Sequence, residues 1–244
     1  RTKFVEIQGL IDALDRAIDQ LQGTPIAASV LVEEVLPARI RGFSPSDLDS
    51  MLASGELVWV GVEPHGSSDG KIALYRTDKL GLLAAPAIAA PGDVQAKLRA
   101  ELQQGGALFF SDLARRLGGF PRDLLSALWD LVWAGEVTND TLAPLRSLQA
   151  HAKAPRGRPD PRARRAVMPG SEGRWSLVRR ETGRSVAEQR TARARLLLDR
   201  HGIVSREIVN ADGLGSFAEL YPVLKAMEDA GKVRRGYFIA GLGG

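Results

Sequence analysis

"VWAGEV" occupies residues 132–137, at the close of the apolar run "FPRDLLSALWDLVWAG". Two relatives of it, "LASGEL" at 52–57 and "EDAGKV" at 228–233, also close runs with helical spacing. In each, a small residue and a Gly precede a charge and an aliphatic side chain. Gly55, Gly135 and Gly231 stand where a helix stops in a left-handed C-cap, which glycine adopts without a Cβ penalty. The charge and the aliphatic residue then open an extended segment. One such cap means little, because glycine caps are common. Three of them, with matching elements on either side, mark a repeated unit.

In the second copy, "GDVQAKLRAELQQ" (92–104) predicts an amphipathic helix with Val94, Leu98 and Leu102 on its apolar stripe. "ALFF" (107–110) is strand-like, Ser111 can N-cap "DLARRLG", and Pro121 opens the helix that Gly135 closes. In the third copy, "RTARARLLLDRHG" is a helix ending near Gly202, and "IV" (203–204) is a short strand. Ser205 caps "REIVNADG", and Ser216 with Glu219 forms a capping box at the head of "SFAELYPVLKAMEDAG". "KVRRGYFIAG" is then one strand, or a hairpin turning at Arg235-Gly236. The first copy leads with "KFVEIQGLIDALDRAIDQLQG". Ser29 caps a second helix that Pro37 should end, and Ser44-Pro45-Ser46-Asp47 begins a third. "ELVWVGVE" and "KIALYRT" form a β-hairpin across "PHGSSDG".

Three helices followed by a β-hairpin is the winged-helix plan of the helix-turn-helix class; unrelated helical hairpins sharing a C-cap are the plainer alternative. The expected fold class is mainly α with small β-hairpins (α+β), in three tandem winged-helix units. Residues 1–85 make unit one, 86–149 unit two and 188–244 unit three. Residues 150–187 form an Arg/Pro-rich enlarged wing or linker with a short strand near 174–178. "VT" (137–138) needs a partner to complete a wing, and "RWSLV" (174–178) is the next strand-like stretch. Their pairing makes 139–173 an enlarged wing holding a short helix, "LAPLRSL", and an arginine-rich loop.

Composition narrows the chemistry. The 244 residues contain no cysteine and three widely spaced histidines, His65, His151 and His201, so disulfides and zinc sites are not expected. No apolar run is long enough to span a membrane, and the lack of cysteine fits a reducing cytoplasm, where the protein is expected. The chain opens "RTKF" without an initiator Met, as a fragment of a longer protein would. The formal charge of +4 is unevenly spread. Residues 1–150 hold 14 Lys and Arg against 19 Asp and Glu, 151–195 hold 13 against 4, and 196–244 hold 6 against 6. Phosphate ligands are therefore sought first in the middle segment.

There "KAPRGRPDPRARR" (153–165) sets Lys153, Arg156, Arg158, Arg162, Arg164 and Arg165 among prolines. It is either a solvated loop or an arm that neutralises phosphates. "GKVRRGYF" offers Lys232, Arg234 and Arg235 beside Tyr237, where charge and an aromatic suit a single strand; an ordinary exposed hairpin is the alternative. Arg115, Arg116 and Arg122 flank the turn before the second unit's last helix and make a weaker third candidate. The helices that would read bases are poor in Arg, Lys, Asn and Gln near their starts. Asp47 and Asp49 would repel phosphates in unit one, and "DLLSALWDLVW" is apolar nearly all round, so Trp129 and Trp133 read as packing. No catalytic or metal-ligating constellation is found.

The stretches "EEVLPARIRGFSPSDLDSMLASGELVWVG", "DGKIALY", "ALWDLVWAGEVTNDTLAPLRSL", "EGRWSLV" and "YPVLKAMEDAGKVRRGYFIAGLG" closely resemble the C-terminal region of bacterial large helicase-related (Lhr) proteins. The resemblance implies an ATP-dependent DNA helicase of the DEAD/DEAH-like superfamily 2, associated with DNA repair, whose C-terminal extension is built of tandem winged helices. It also implies that ATP and magnesium belong to motor domains, because a phosphate-cradling G-x-x-x-x-G-K-[ST] loop is missing here. The nearest approach, "GSSDGKI" (66–72), is one residue short and lies between two strands. No cofactor is expected in this segment. Its expected partners are single-stranded or damaged DNA and the helicase core of the same protein, with further copies of itself, through spare apolar faces, as an option; no membrane is expected. The leading expectation is a non-catalytic segment that scaffolds the protein and guides DNA. The alternatives are part of a uracil-excising, glycosylase-like module whose catalytic carboxylate lies outside this segment, and an oligomerisation platform.

Overall fold

The computed structural model describes residues 2–154, 168–180 and 183–237. The first unit runs α1 (Thr2–Leu21), β1 (Ile26–Ala27), α2 (Ala28–Val30), a π-helical turn (Leu31–Val35), α3 (Leu36–Arg39), α4 (Pro45–Ala53), β2 (Leu57–His65) and β3 (Asp69–Arg76). A short helix, α5 (Leu80–Leu83), leads away from it. The second unit runs α6 (Asp93–Gly105), β4 (Leu108–Phe109), α7 (Phe110–Leu117), α8 (Pro121–Trp133), β5 (Val137–Asn139), α9 (Ala143–Lys153) and β6 (Arg174–Leu177). The two sheets are antiparallel and have the same order, β1-β3-β2 and β4-β6-β5. The third unit supplies α10 (Val186–His201), α11 (Arg206–Asp212) and α12 (Phe217–Asp229). The molecule is mostly helical with small antiparallel sheets in a winged-helix arrangement.

The repeated stretch is helix punctuation, as its composition implies. Gly55, Gly135 and Gly231 have φ of 81°, 70° and 70°. At Gly135 two backbone bonds close the Schellman motif, Gly135 N to Val132 O (2.9 Å) and Glu136 N to Leu131 O (2.9 Å). Gly231 repeats the pattern, with Gly231 N to Glu228 O and Lys232 N to Met227 O, both 2.8 Å. Val137 then enters β5 fully buried. The charge has its own task in the second copy. Glu136 accepts from Arg99 Nε (2.6 Å) and Nη2 (2.9 Å) and from Ala90 N (2.7 Å), tying the linker after α5 to α6 and β5. Burial opposes ionisation of Glu136, but Arg99 and the Ala90 amide outweigh it and hold its carboxyl below the usual range.

The pairing of 137–138 with 174–178 is present: Val137 faces Leu177, Thr138 faces Ser176 and Asn139 faces Trp175. Ser44, Ser205 and Ser216 cap their helices as read, Ser44 with Asp47 and Ser216 with Glu219 in capping boxes. The turn between β2 and β3 falls at 66–68, since His65 pairs with Asp69, so "GSSDGKI" is a hairpin tip.

Several local expectations need correction. Pro37 does not end the second helix. The π-helical turn adds a residue to the loop, and Leu36 N reaches Leu31 O, which relieves the clash a proline ring makes with the preceding turn. Ser29 lies inside that helical stretch and its Oγ donates to Asp69 (2.6 Å). Ser111 is not a cap: α7 begins one residue earlier, with Phe109 as N-cap and the Phe110 ring buried in its first turn. Val94 lies 39% exposed, outside the core that Leu98 and Leu102 enter. Residues 203–204 and 232–237 are not strands; among the described residues they have no partner strand.

The strands β2 and β3 serve two cores at once. Leu57, Trp59, Ile72 and Leu74 face a core shared by the first two units, whereas Val60, Ala73 and Tyr75 face one made with α5 and the third unit through Leu196, Leu197 and Leu214. Over 57–60 and 72–75 this is period-2 alternation with no solvent face, whereas Val62, Glu63, Pro64 and His65 are exposed. Arg200 fastens the third unit further. It donates through Nε to Gln20 O (2.6 Å) and through Nη2 to Gln22 O at the end of α1, and pairs with Asp212, which also meets His201 Nε2 (3.0 Å).

Candidate nucleic-acid interface

In winged helices the last helix of the three and the wing ordinarily meet the nucleic acid. Packing between units decides which remain free. In unit one, α4 is held by unit two: Asp49 accepts from Leu142 N (2.8 Å) and pairs with Arg146. The β2–β3 hairpin is a platform for α8 and β5. Gly61 lies against the Val132 carbonyl and Gly70 under the Trp133 ring; a Cβ would come within 2.4 and 2.0 Å of them. Thr138 Oγ1 donates to Trp59 O (2.6 Å), and Trp59 Nε1 to Thr141 O (3.2 Å).

In unit two, α8 buries Leu124, Leu125, Leu128, Trp129, Leu131 and Val132. Trp129 stacks on Trp133 (centroids 5.2 Å apart, 27° between planes), meets Trp175 edge-on at 5.5 Å and donates to Gly170 O (3.1 Å). These rings are core and interface, as their setting in sequence implies, and no base-stacking platform is offered there. Arg115 and Arg116 are engaged with Asp112 (2.6 Å) and Glu101 (3.3 Å), leaving Arg122 exposed.

Unit three differs. Of α12 only Leu220 is buried. Between α10, α11, α12 and residues 232–236 lies an open cleft of about 1460 Å³. Arg195, Arg206, Lys225, Lys232, Arg234 and Arg235 line it against Asp199, Glu207 and Glu228, so cations outnumber carboxylates by six to three. Two rings share the wall: Phe217 and Tyr221, one helical turn apart, have centroids separated by 6.1 Å. The Arg206 guanidinium lies 5.8 Å from the Phe217 centroid, a cation–π distance. Arg235 is fixed, donating through N to Glu228 (3.1 Å) and through Nη1 to Tyr221 Oη (3.3 Å). The side chains of Lys232 and Arg234 are exposed and make no hydrogen bond or ion pair among the described residues.

The structure therefore gathers Lys232, Arg234 and Arg235 into one cleft. Tyr237 follows just beyond its lining and is 89% exposed. Arg195, Arg206, Lys225, Phe217 and Tyr221 were not among the sequence candidates. Arg206 follows the Ser205 cap and the two rings stand at i, i+4, but neither sign points at a cleft until α11 and α12 are folded together. Arg156, Arg158, Arg162, Arg164 and Arg165 lie outside the described residues. Both flanks of their segment are anchored. Lys153 meets Glu33 (3.6 Å), and on the other side Gly170 N contacts Ser147 Oγ (2.8 Å) and Glu172 (3.0 Å). No group of three or more His, Cys, Asp or Glu suited to a metal occurs among the described residues, and no described helix is long and apolar enough to cross a membrane.

Repeated sheet order and an open third unit define a tandem winged-helix protein. Residues 3–77 and 183–244 match family models described as large helicase-related protein, winged-helix domain. Over 96% of its length the chain is 39% identical to the "Lhr helicase/ probable uracil glycosylase" of Mycolicibacterium smegmatis and 36% identical to the "Lhr helicase/uracil glycosylase" of Escherichia coli. It spans 17% of the length of each of these relatives. The chain belongs to the large helicase-related protein family.

Proposed function

We propose that this chain is a non-catalytic DNA-handling segment of an Lhr-type helicase acting in DNA repair. Units one (1–85) and two (86–149, with 150–187 as its enlarged wing) form a rigid scaffold. Unit three (188–244) guides a single or damaged strand through its cleft. The observation that carries this reading is the cleft on α12, where unpaired Lys232 and Arg234 stand with Arg206, Phe217 and Tyr221. Cations neutralise phosphates while aromatic faces stack on bases of any sequence, the combination that single-strand binders use. On this reading the chain's partners are DNA and the helicase core, and ATP and magnesium serve motor domains elsewhere in the protein.

A second reading is favoured by the names of both relatives, which include a uracil glycosylase. The cleft would then present a strand for base excision by a carboxylate outside this chain. Two measurements test these readings. Lys232→Glu combined with Arg234→Glu should weaken binding of a labelled oligo(dT) by more than about ten-fold at low salt; unchanged affinity refutes the cleft. Uracil-containing DNA incubated with the chain and then with alkali should stay intact, and cleavage would overturn the non-catalytic assignment. A multimer without DNA affinity would favour the platform alternative.

A further inference from the structure

A second basic cleft, of about 670 Å³, opens between the first two units. Gly55, Leu57 and Thr77 line one side, and the end of α6 with β5 and β6 lines the other. Among the described residues that line it, Arg174, Arg179 and Arg180 face a single carboxylate, Asp140. That carboxylate is already engaged by Arg174, through Nε (2.7 Å) and the backbone N (2.8 Å). Arg179 is exposed, and neither it nor the side chains of Gln103 and Ser176 make a hydrogen bond or ion pair among the described residues. Arg180 is half-buried. Its Nη2 donates to Gly135 O (3.0 Å), while its Nε is buried and has no partner. Burial lowers the Arg180 pKa, opposed by Tyr75 and Glu136. Arg180 Nη1 makes no hydrogen bond among the described residues, so the half-buried guanidinium on the cleft wall keeps a donor that a phosphate oxygen could take.

We propose that this cleft is a second phosphate-binding station, in which a phosphodiester of a nucleic-acid single strand sits against Arg179 and Arg180 with Gln103 and Ser176 as neutral donors. The surplus of positive charge selects an anion, and the half-open shape between two docked units suits a chain that enters and leaves better than an enclosed small molecule. The site rests on the reading of this chain as a strand holder but uses none of the unit-three residues.

The test is the salt dependence of binding to a fluorescein-labelled oligo(dT) of about 20 nucleotides, followed by anisotropy on the 244-residue chain. Arg179→Ala should lower the slope of log K against log salt by about 0.7, the increment for one single-strand phosphate contact. That corresponds to a roughly eight-fold loss of affinity near about 50 mM salt, fading towards about 1 M. Arg179→Lys, which keeps the charge, should stay within about two-fold of the parent. Because Arg179 is exposed and has no partner among the described residues, the thermal midpoint should not move, which separates lost contact from lost fold. An unchanged slope in Arg179→Ala, with a reduced one in the Lys232→Glu, Arg234→Glu variant, overturns this cleft and leaves the proposed function standing. Unchanged slopes in both overturn the two together.

Discussion

Gly61→Ala tests the docking of the first two units at its tightest point. A Cβ at Gly61 would stand 2.4 Å from Val132 O, 2.9 Å from Val132 C and 2.9 Å from Val132 Cγ1. The carbonyl cannot retreat freely, because it accepts the Gly135 amide that closes α8 (2.9 Å). On the other side the packing is also close, since a Cβ at Gly135 would stand 3.3 Å from Val60 Cγ1. Relief therefore requires β2 and α8 to separate. Overpacking of this kind costs about 1–3 kcal/mol. The less flexible unfolded chain of an Ala variant returns about 0.4–1 kcal/mol, so a net loss of about 1–2 kcal/mol is expected. The assay is urea unfolding followed by tryptophan fluorescence. All four tryptophans, Trp59, Trp129, Trp133 and Trp175, belong to the shared core or pack against it, so they report this interface. Gly55→Ala is the control. Its φ of 81° imposes strain of about 1 kcal/mol, but its Cβ meets nothing within 4 Å, so the native emission should not change. A Gly61→Ala midpoint equal to wild type would refute the close approach.

Glu136→Gln should cost about 1–2 kcal/mol at neutral pH by weakening the charge-assisted bonds to Arg99. The folded carboxyl titrates below its unfolded value, so this contribution is present above about pH 4.3 and is lost as pH falls through the folded pKa. Urea midpoints of the two proteins should accordingly converge in acid; a gap that persists there would count against the ion pair. Arg200→Ala strips Asp212, whose side chain is 6% exposed, of its main partner and frees two carbonyls at the end of α1, for a loss of about 3 kcal/mol. Limited proteolysis should then cut α10–α12 before the rest, and an unaltered cleavage pattern would show that Arg200 does not hold the unit. Ser205→Ala should cost about 1 kcal/mol through the lost cap on Ile208 N. Amide exchange should speed up across 206–212, and unchanged rates would refute the capping role.

What could be read in the sequence was local. Ser44, Ser205 and Ser216 announce helix starts because their hydroxyls satisfy amides within three residues, and Gly135 and Gly231 announce helix ends for a similar reason. The partner of β5 could also be found, since 174–178 is the next strand-like stretch after it. Pro37 was misread because its cost depends on the turn before it, and a π-helical turn is not visible in residue spacing. The free surface was illegible for a different reason. Asp49 reads as a charge that would repel phosphates, yet its partner is Arg146, 97 residues away. The same docking occupies α4 and the β2–β3 hairpin, so the open cleft is left in unit three, where Arg195 and Arg206 join Lys232 and Arg234 across three elements.

The β2–β3 hairpin has a further consequence. Even-numbered Ile72 and Leu74 belong to one core, and odd-numbered Ala73 and Tyr75 to the other. A slip of β3 by one residue would present each core with the other's side chains, so both would fail together. Single-residue insertions or deletions within 70–76 should therefore be lethal to the fold, whereas the tip at 66–68 can absorb length changes. The strand acts as a parity check on the whole chain: the three units can be correctly assembled in only one frame.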